Sequence, residues 1–215
     1  MNKKYSYVGI SFIILLFGIY VVPKVVARFK KPQLATFNKV PSFEFINQDG
    51  KKITNNNFKG KVYVVEFFFS TCTTICPLMT TKMVELQDEF FGNPNFGIAS
   101  FSITPERDTP YVLKEYAKRN KILAKNWHLL TTEGADDIVY NLANKGFKLY
   151  AGKDDRSTDG FEHSGLFALV DKEGYIRSRY DEFGNPIMYY RALEENEFSD
   201  QIKELKEDIK LLLNE

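Results

Sequence analysis

The chain has 215 residues, 44% of them hydrophobic and 15% aromatic, which is ample for one packed domain with an appendage. Its 29 basic and 28 acidic side chains nearly cancel, to a net +1, and no long basic run is interleaved with aromatics, so a nucleic-acid-binding surface is excluded. Two cysteines are too few for a disulfide-stapled scaffold, and their close spacing points to a redox or metal site.

The first element is the stretch from Tyr5 to Val26, YSYVGISFIILLFGIYVVPKVV, uncharged before Lys24 and with tyrosines toward both ends. About 20 apolar residues span a bilayer as a helix, and Tyr favours the interfaces, so residues 1–27 read as an uncleaved membrane anchor. A cleaved signal peptide is the alternative. It fits less well, because the apolar stretch is long for a signal and its one cleavage motif, Val25-Val26-Ala27, is weak. Lys24, Arg28, Lys30 and Lys31 after the span outnumber Lys3 and Lys4 with the amino terminus before it, a balance that taken alone places the following domain in the cytoplasm.

Residues 28–40 are polar, lack periodicity and read as a linker, with the folded domain occupying residues 41–215. Residues 43–47 predict a strand, and Asp49-Gly50 a turn that folds the following KKIT back on it. Residues 61–69, KVYVVEFFF, form a nearly unbroken β-branched and aromatic run, the pattern of a central strand buried on both faces. Met79, Met83, Leu86 and Phe90 then recur at helical spacing, which makes both methionines core residues rather than thioether ligands.

A second apolar strand is expected over 96–103, and Asp108-Thr109-Pro110 supplies a cap and a first-turn proline for a helix to about Asn120. A short strand at 127–130 and a helix over roughly 134–144 follow. Residues 166–171 and 175–181 flank Lys172-Glu173-Gly174 as a hairpin. At the end, Phe198, Ile202, Leu205, Ile209 and Leu212 form one stripe of an amphipathic helix laid on the sheet. Strands and helices alternate, so the fold class is α/β, a central mixed sheet flanked by helices.

The chemistry sits where the buried strand gives way to a helix, in Cys72-Thr73-Thr74-Ile75-Cys76-Pro77. A four-residue separation places both sulfurs on one face, and a helix N-terminus favours their thiolates, the form that binds soft metals or attacks disulfides. Thioredoxin-type oxidoreductases place two residues between their cysteines; here there are three. Structural zinc would require four Cys or His ligands, whereas a sparse thiolate site suits Cu(I). Of the two histidines, His163 lies in a polar, glycine-flanked loop before a strand and His128 inside an apolar strand, so His163 is the better third ligand.

Taken together, the N-terminal span, Cys-x-x-x-Cys-Pro after an apolar strand, Pro105-Glu106-Arg107-Asp108-Thr109-Pro110, and His163 before a strand ending in Asp171-Lys172-Glu173-Gly174 resemble the Sco/SenC family of copper proteins, from about Pro41 to Tyr180. The resemblance implies a thioredoxin-like fold with one N-terminal transmembrane helix, and a site in which Cys72, Cys76 and His163 bind copper as Cu(I) or Cu(II). It implies a metallochaperone, or a thiol reductant, for the CuA centre of cytochrome c oxidase, with the copper-bearing oxidase subunit or another copper chaperone as partner. It also sets the charge count aside, placing the soluble domain in the periplasm at a bacterial inner membrane in preference to the mitochondrial one.

Thr73-Thr74 stands where family members often carry Pro-Asp, and Thr104 where they often carry Asp. Against a general disulfide reductase, Glu162-His163-Ser164-Gly165 lacks the proline that thioredoxin-like reductases carry before the strand facing their cysteines; against a peroxidase, Phe69 stands where peroxiredoxins carry threonine. A membrane-tethered thiol:disulfide oxidoreductase using Cys72 and Cys76 as a metal-free catalytic pair is the alternative function, and a binding module with an inert cysteine pair the third.

Overall fold

The computed structural model describes residues 3–29, 33–133, 136–194 and 198–215, which fall into two units divided after Gln33. The first holds helix α1, Lys3–Phe29. From Ile10 to Tyr20 its side chains are exposed on every face. Among the described residues, no helix is long and apolar enough to cross a membrane. The anchor expected over residues 1–27 is therefore not established, and the flanking side chains of Lys3, Lys4, Lys24, Arg28, Lys30 and Lys31 lie outside the described ones.

The second unit is built on β1 (Ala35–Lys39), β2 (Glu44–Asn47), β3 (Lys52–Thr54), β4 (Val62–Phe68), β5 (Phe96–Ser102), β6 (Trp127–Thr131), β9 (Leu166–Val170), β10 (Tyr175–Ser178) and β11 (Tyr190–Arg191), which form a nine-stranded sheet. Its order is β1-β10-β9-β4-β5-β6-β2-β3, with β11 also on β9, and the one-turn helix α2 (Asn55–Phe58) lies between β3 and β4 in the chain. β4, β5 and β6 are parallel and are joined through helices α3 (Cys76–Glu89) and α4 (Pro110–Arg119), while β9 and β2 add antiparallel neighbours. The sheet is mixed, and both central seven-residue strands are buried throughout, as the apolar runs required.

Successive β4 side chains serve opposite faces. Phe67 stacks on Phe101 and meets Phe147 edge-on, while Phe68 packs on Tyr116 of α4, whose hydroxyl bonds Thr80 of α3 at 2.7 Å. Met79, Met83 and Leu86 of α3 are fully buried. The C-terminal helix α6 (Ile202–Leu213) buries Ile202, Leu205, Ile209 and Leu212 and is joined to α3 by the Lys206–Glu85 and Lys210–Glu89 pairs. Phe198 departs from the expected stripe: it precedes the helix, is exposed, and lies under the Arg191 guanidinium.

Three further departures concern polar segments. Residues 35–39, expected within the linker, form edge strand β1 against β10. The helix expected over 134–144 is a short α5, Asp137–Asn141, continuing as a π-helical turn, Leu142–Phe147; residues 134 and 135 lie outside the described ones. Residues 151–163 form a separate two-stranded hairpin of β7 (Ala151–Lys153) and β8 (Phe161–His163), so His163, expected in a polar loop, ends a short strand.

Candidate metal centre

β4 ends at Phe68, and Phe69 to Ile75 lead without regular structure into α3, which opens on Cys76-Pro77. Proline at the start of the helix costs no hydrogen bond, since that N–H would be unpaired in any case. The preceding Ile75 offers no side-chain acceptor; the Cys76 N–H donates to Cys72 Sγ at 3.4 Å. The four-residue spacing thus places both sulfurs at the positive end of α3.

The hairpin brings in the third group. Cys76 Sγ and His163 Nε2 are 2.8 Å apart, across 87 residues of sequence. The side-chain donors of Cys72, Cys76 and His163 all lie within 4.8 Å of one another, and all three residues are buried. His163 Nδ1–H donates to the Ser164 carbonyl at 3.2 Å, which leaves the Nε2 lone pair directed at the sulfurs. Phe69 meets the imidazole edge-on at 5.9 Å, and Phe161 packs on Phe69.

The thiols differ. Cys72 is held well below the ordinary thiol range, chiefly by a hydrogen bond from Cys76, with Thr74 adding to it. Cys76 is pushed far up, first by burial and then by the Cys72 sulfur. Cys72 also lines an open cavity of about 440 Å³ with Phe69, Ile75, Arg156, Phe161 and His163. The outer sulfur is therefore the anionic, reachable one. Two thiol sulfurs and a tautomerically fixed imidazole are a soft donor set that fits copper.

His128 is elsewhere: Nδ1 accepts from the Asn47 amide at 3.2 Å, the ring meets Phe58 edge-on, and burial, with Lys61 nearby, pushes its pKa down to about 4. Two residues that sequence reasoning did not assign to the site support its loops. Asp108 is fully buried and accepts from the Ser70 amide (3.0 Å) and hydroxyl and from the Ser102 and Thr104 hydroxyls at 2.6 and 3.2 Å. The acidic position inside Pro105–Pro110 was its signal. Asp159, which bonds Thr73, gave none.

A family model described as SCO1/SenC matches residues 31–196. The SCO1 protein homolog of Bacillus subtilis (strain 168) is 36% identical over 148 residues, 68% of this chain and 76% of the relative. The structure of a SCO1/SenC family lipoprotein from Bacillus anthracis str. Ames is 28% identical, with a TM-score of 0.69 over 83% of this chain and 97% of that one. Bradyrhizobium japonicum ScoI, solved with copper bound, is 20% identical and shares the fold, with a TM-score of 0.61 over 81% of this chain and 99% of that one.

Proposed function

The chain belongs to the SCO1/SenC family, and on that basis we propose that it is a membrane-anchored copper-binding metallochaperone that assists CuA-site assembly in cytochrome c oxidase, with Cys72, Cys76 and His163 as the copper ligands. The observation that carries this reading is the buried convergence of two sulfurs and one imidazole nitrogen within 4.8 Å. Thiolates satisfy Cu(I), and the imidazole lets the same site hold Cu(II). The chain's own part is to keep Cys72 ionised, to fix the His163 tautomer and to bury the cluster while leaving one sulfur open to the cavity.

The domain sits outside a bacterial inner membrane, tethered through residues 1–27, with a copper-bearing oxidase subunit or another copper chaperone as partner. The lipoprotein nature of the Bacillus anthracis neighbour supports membrane association. A topology reporter fused after Glu215 is active in the periplasm on this reading, and activity confined to a cytoplasmic reporter refutes it.

Copper titration of the reduced full chain tests the ligand set. One equivalent binds, Cys72→Ser/Cys76→Ser abolishes uptake, and His163→Ala chiefly weakens Cu(II). Unchanged stoichiometry and affinity in the double variant refute the proposal.

A thiol:disulfide oxidoreductase is the second reading, favoured by the opposite displacement of the two thiols, one toward thiolate and one toward thiol. It requires copper-free protein to reduce a partner disulfide with His163 dispensable.

A further inference from the structure

Cys76 is fixed twice, by helix α3 and by its 2.8 Å contact with His163. Cys72 stands in the irregular segment before that helix, and its own amide bonds locally, to the Phe69 carbonyl at 3.3 Å. Cys72 Sγ is tied to the helix end by the Cys76 N–H at 3.4 Å, and its loop is tied to the β7–β8 hairpin that carries His163 by a second route, directly across the gap between them. Besides the Cys76–His163 contact, one hydrogen-bonded crossing exists there among the described residues. The Thr73 amide donates to Asp159 Oδ2 at 2.9 Å, and the Thr73 hydroxyl donates to the same carboxylate at 3.0 and 3.1 Å.

Both ends of that tie are stiffly joined to the donor atoms. Thr73 directly follows Cys72. Asp159 lies in a turn closed by Asp154 N–H to the Gly160 carbonyl (3.1 Å), Ser157 N–H to the Asp154 carbonyl (3.0 Å) and Ser157 Oγ–H to the Phe161 carbonyl (2.9 Å). β8 then carries the chain from Phe161 to His163. The far side of the hairpin is held independently, by Asn144 pairing with the Ala151 backbone and by the Lys153–Asp136 ion pair. Loss of the Asp159 tie thus frees the cysteine side while the hairpin itself stays in place.

We infer that Asp159 is a positioning residue for the metal centre, its carboxylate clamping Thr73 so that Cys72 is held within ligand distance of His163. The inference rests on the copper reading above. Two thiolates alone retain Cu(I), so the clamp matters most for Cu(II), which draws on all three donors together.

The test uses the full chain with Asp159→Ala and with Thr73→Ser, which keeps both donors. In the copper-free protein, Thr73 amide exchange quickens about tenfold or more in Asp159→Ala, because a charge-assisted bond is lost, while the thermal midpoint stays close to wild type. On loading, Cu(II) affinity falls about 10- to 100-fold and the Cu(II)–thiolate charge-transfer spectrum changes, while Cu(I) affinity moves by less than about threefold. Thr73→Ser behaves as wild type in each measurement.

Unchanged Thr73 exchange in Asp159→Ala overturns the clamp whatever the metal does. Quickened exchange with unchanged Cu(II) affinity and spectrum overturns the positioning role. A wild-type chain that takes up no copper overturns the copper reading, and the positioning role with it, even where the exchange result shows the clamp itself.

Discussion

Glu66 offers a quantitative test of how the sheet tolerates a carboxyl at its centre. It lies on β4, is 2% exposed, and presents Oε1 to the Ser100 hydroxyl at 2.7 Å; that hydroxyl in turn accepts from Trp127 Nε1 at 2.9 Å. Oε2 has no hydrogen-bond partner among the described residues. Burial raises the pKa from 4.5 to about 7, against a smaller lowering by Ser100. The folded state therefore binds the Glu66 proton more tightly than the unfolded chain does. The contribution of this carboxyl to stability is greatest below about pH 4.5, falls as pH rises toward 7, and then levels off. The rise from 4.5 to about 7 corresponds to a loss of roughly 3 kcal/mol.

Glu66→Gln keeps the shape and the acceptor oxygen without the charge. The assay is denaturant unfolding of wild type and variant between pH 5 and 8 in one detergent, read as the difference between them so that other titrating groups cancel. The variant gains on wild type as pH rises, by about 2.5 kcal/mol between pH 5 and 8. A difference that stays flat with pH, or that runs against the variant at pH 8, refutes the reasoning.

Asp108→Ala strands the Ser70, Ser102 and Thr104 donors in the interior and costs about 3 kcal/mol in chemical unfolding; a loss under about 1 kcal/mol contradicts its role. Asp208→Ala removes the partner of Arg179, held at 2.8 and 2.9 Å, and of the Tyr190 hydroxyl at 2.7 Å, and lowers stability by about 3–5 kcal/mol on the same measurement. With a neutral alkylating reagent, Cys72 reacts at a rate already level near neutral pH, whereas Cys76 stays protected until the domain unfolds; peptide mass mapping that finds Cys76 modified first reverses the assignment.

Where the sequence carries its own pattern, the structure follows it. The buried run before Cys72 is β4, the capped segment at Thr109-Pro110 is α4, and Asp49-Gly50 closes β2 on β3. Cys72 and Cys76 were legible from spacing, and His163 from standing in a polar loop just before an apolar strand. Elements stabilised mainly by partners were not legible. β1 reads Ala-Thr-Phe-Asn-Lys because an edge strand needs apolar residues on one side only, and the β7–β8 hairpin is polar because half of it faces solvent. The helix expected to about residue 144 gives way to a π-helical turn over Leu142–Phe147, where Gly146 lies close against Pro41 and Lys148 is left-handed. No local signal could connect Thr73 to Asp159, since their bond spans 86 residues.

The Cys76 N–H that donates to Cys72 Sγ has a consequence for helix α3 itself. With no oxygen at the residue before the helix, the outer sulfur is the acceptor for the first helical amide, that of Cys76. As a thiolate it is a strong acceptor at the positive end of the dipole; alkylated to a thioether or bound in a disulfide it is a weak one. The chemical state of one cavity-lining atom is thereby read by the first turn of α3 as helix stability, on the order of 1 kcal/mol for a lost acceptor at the helix start.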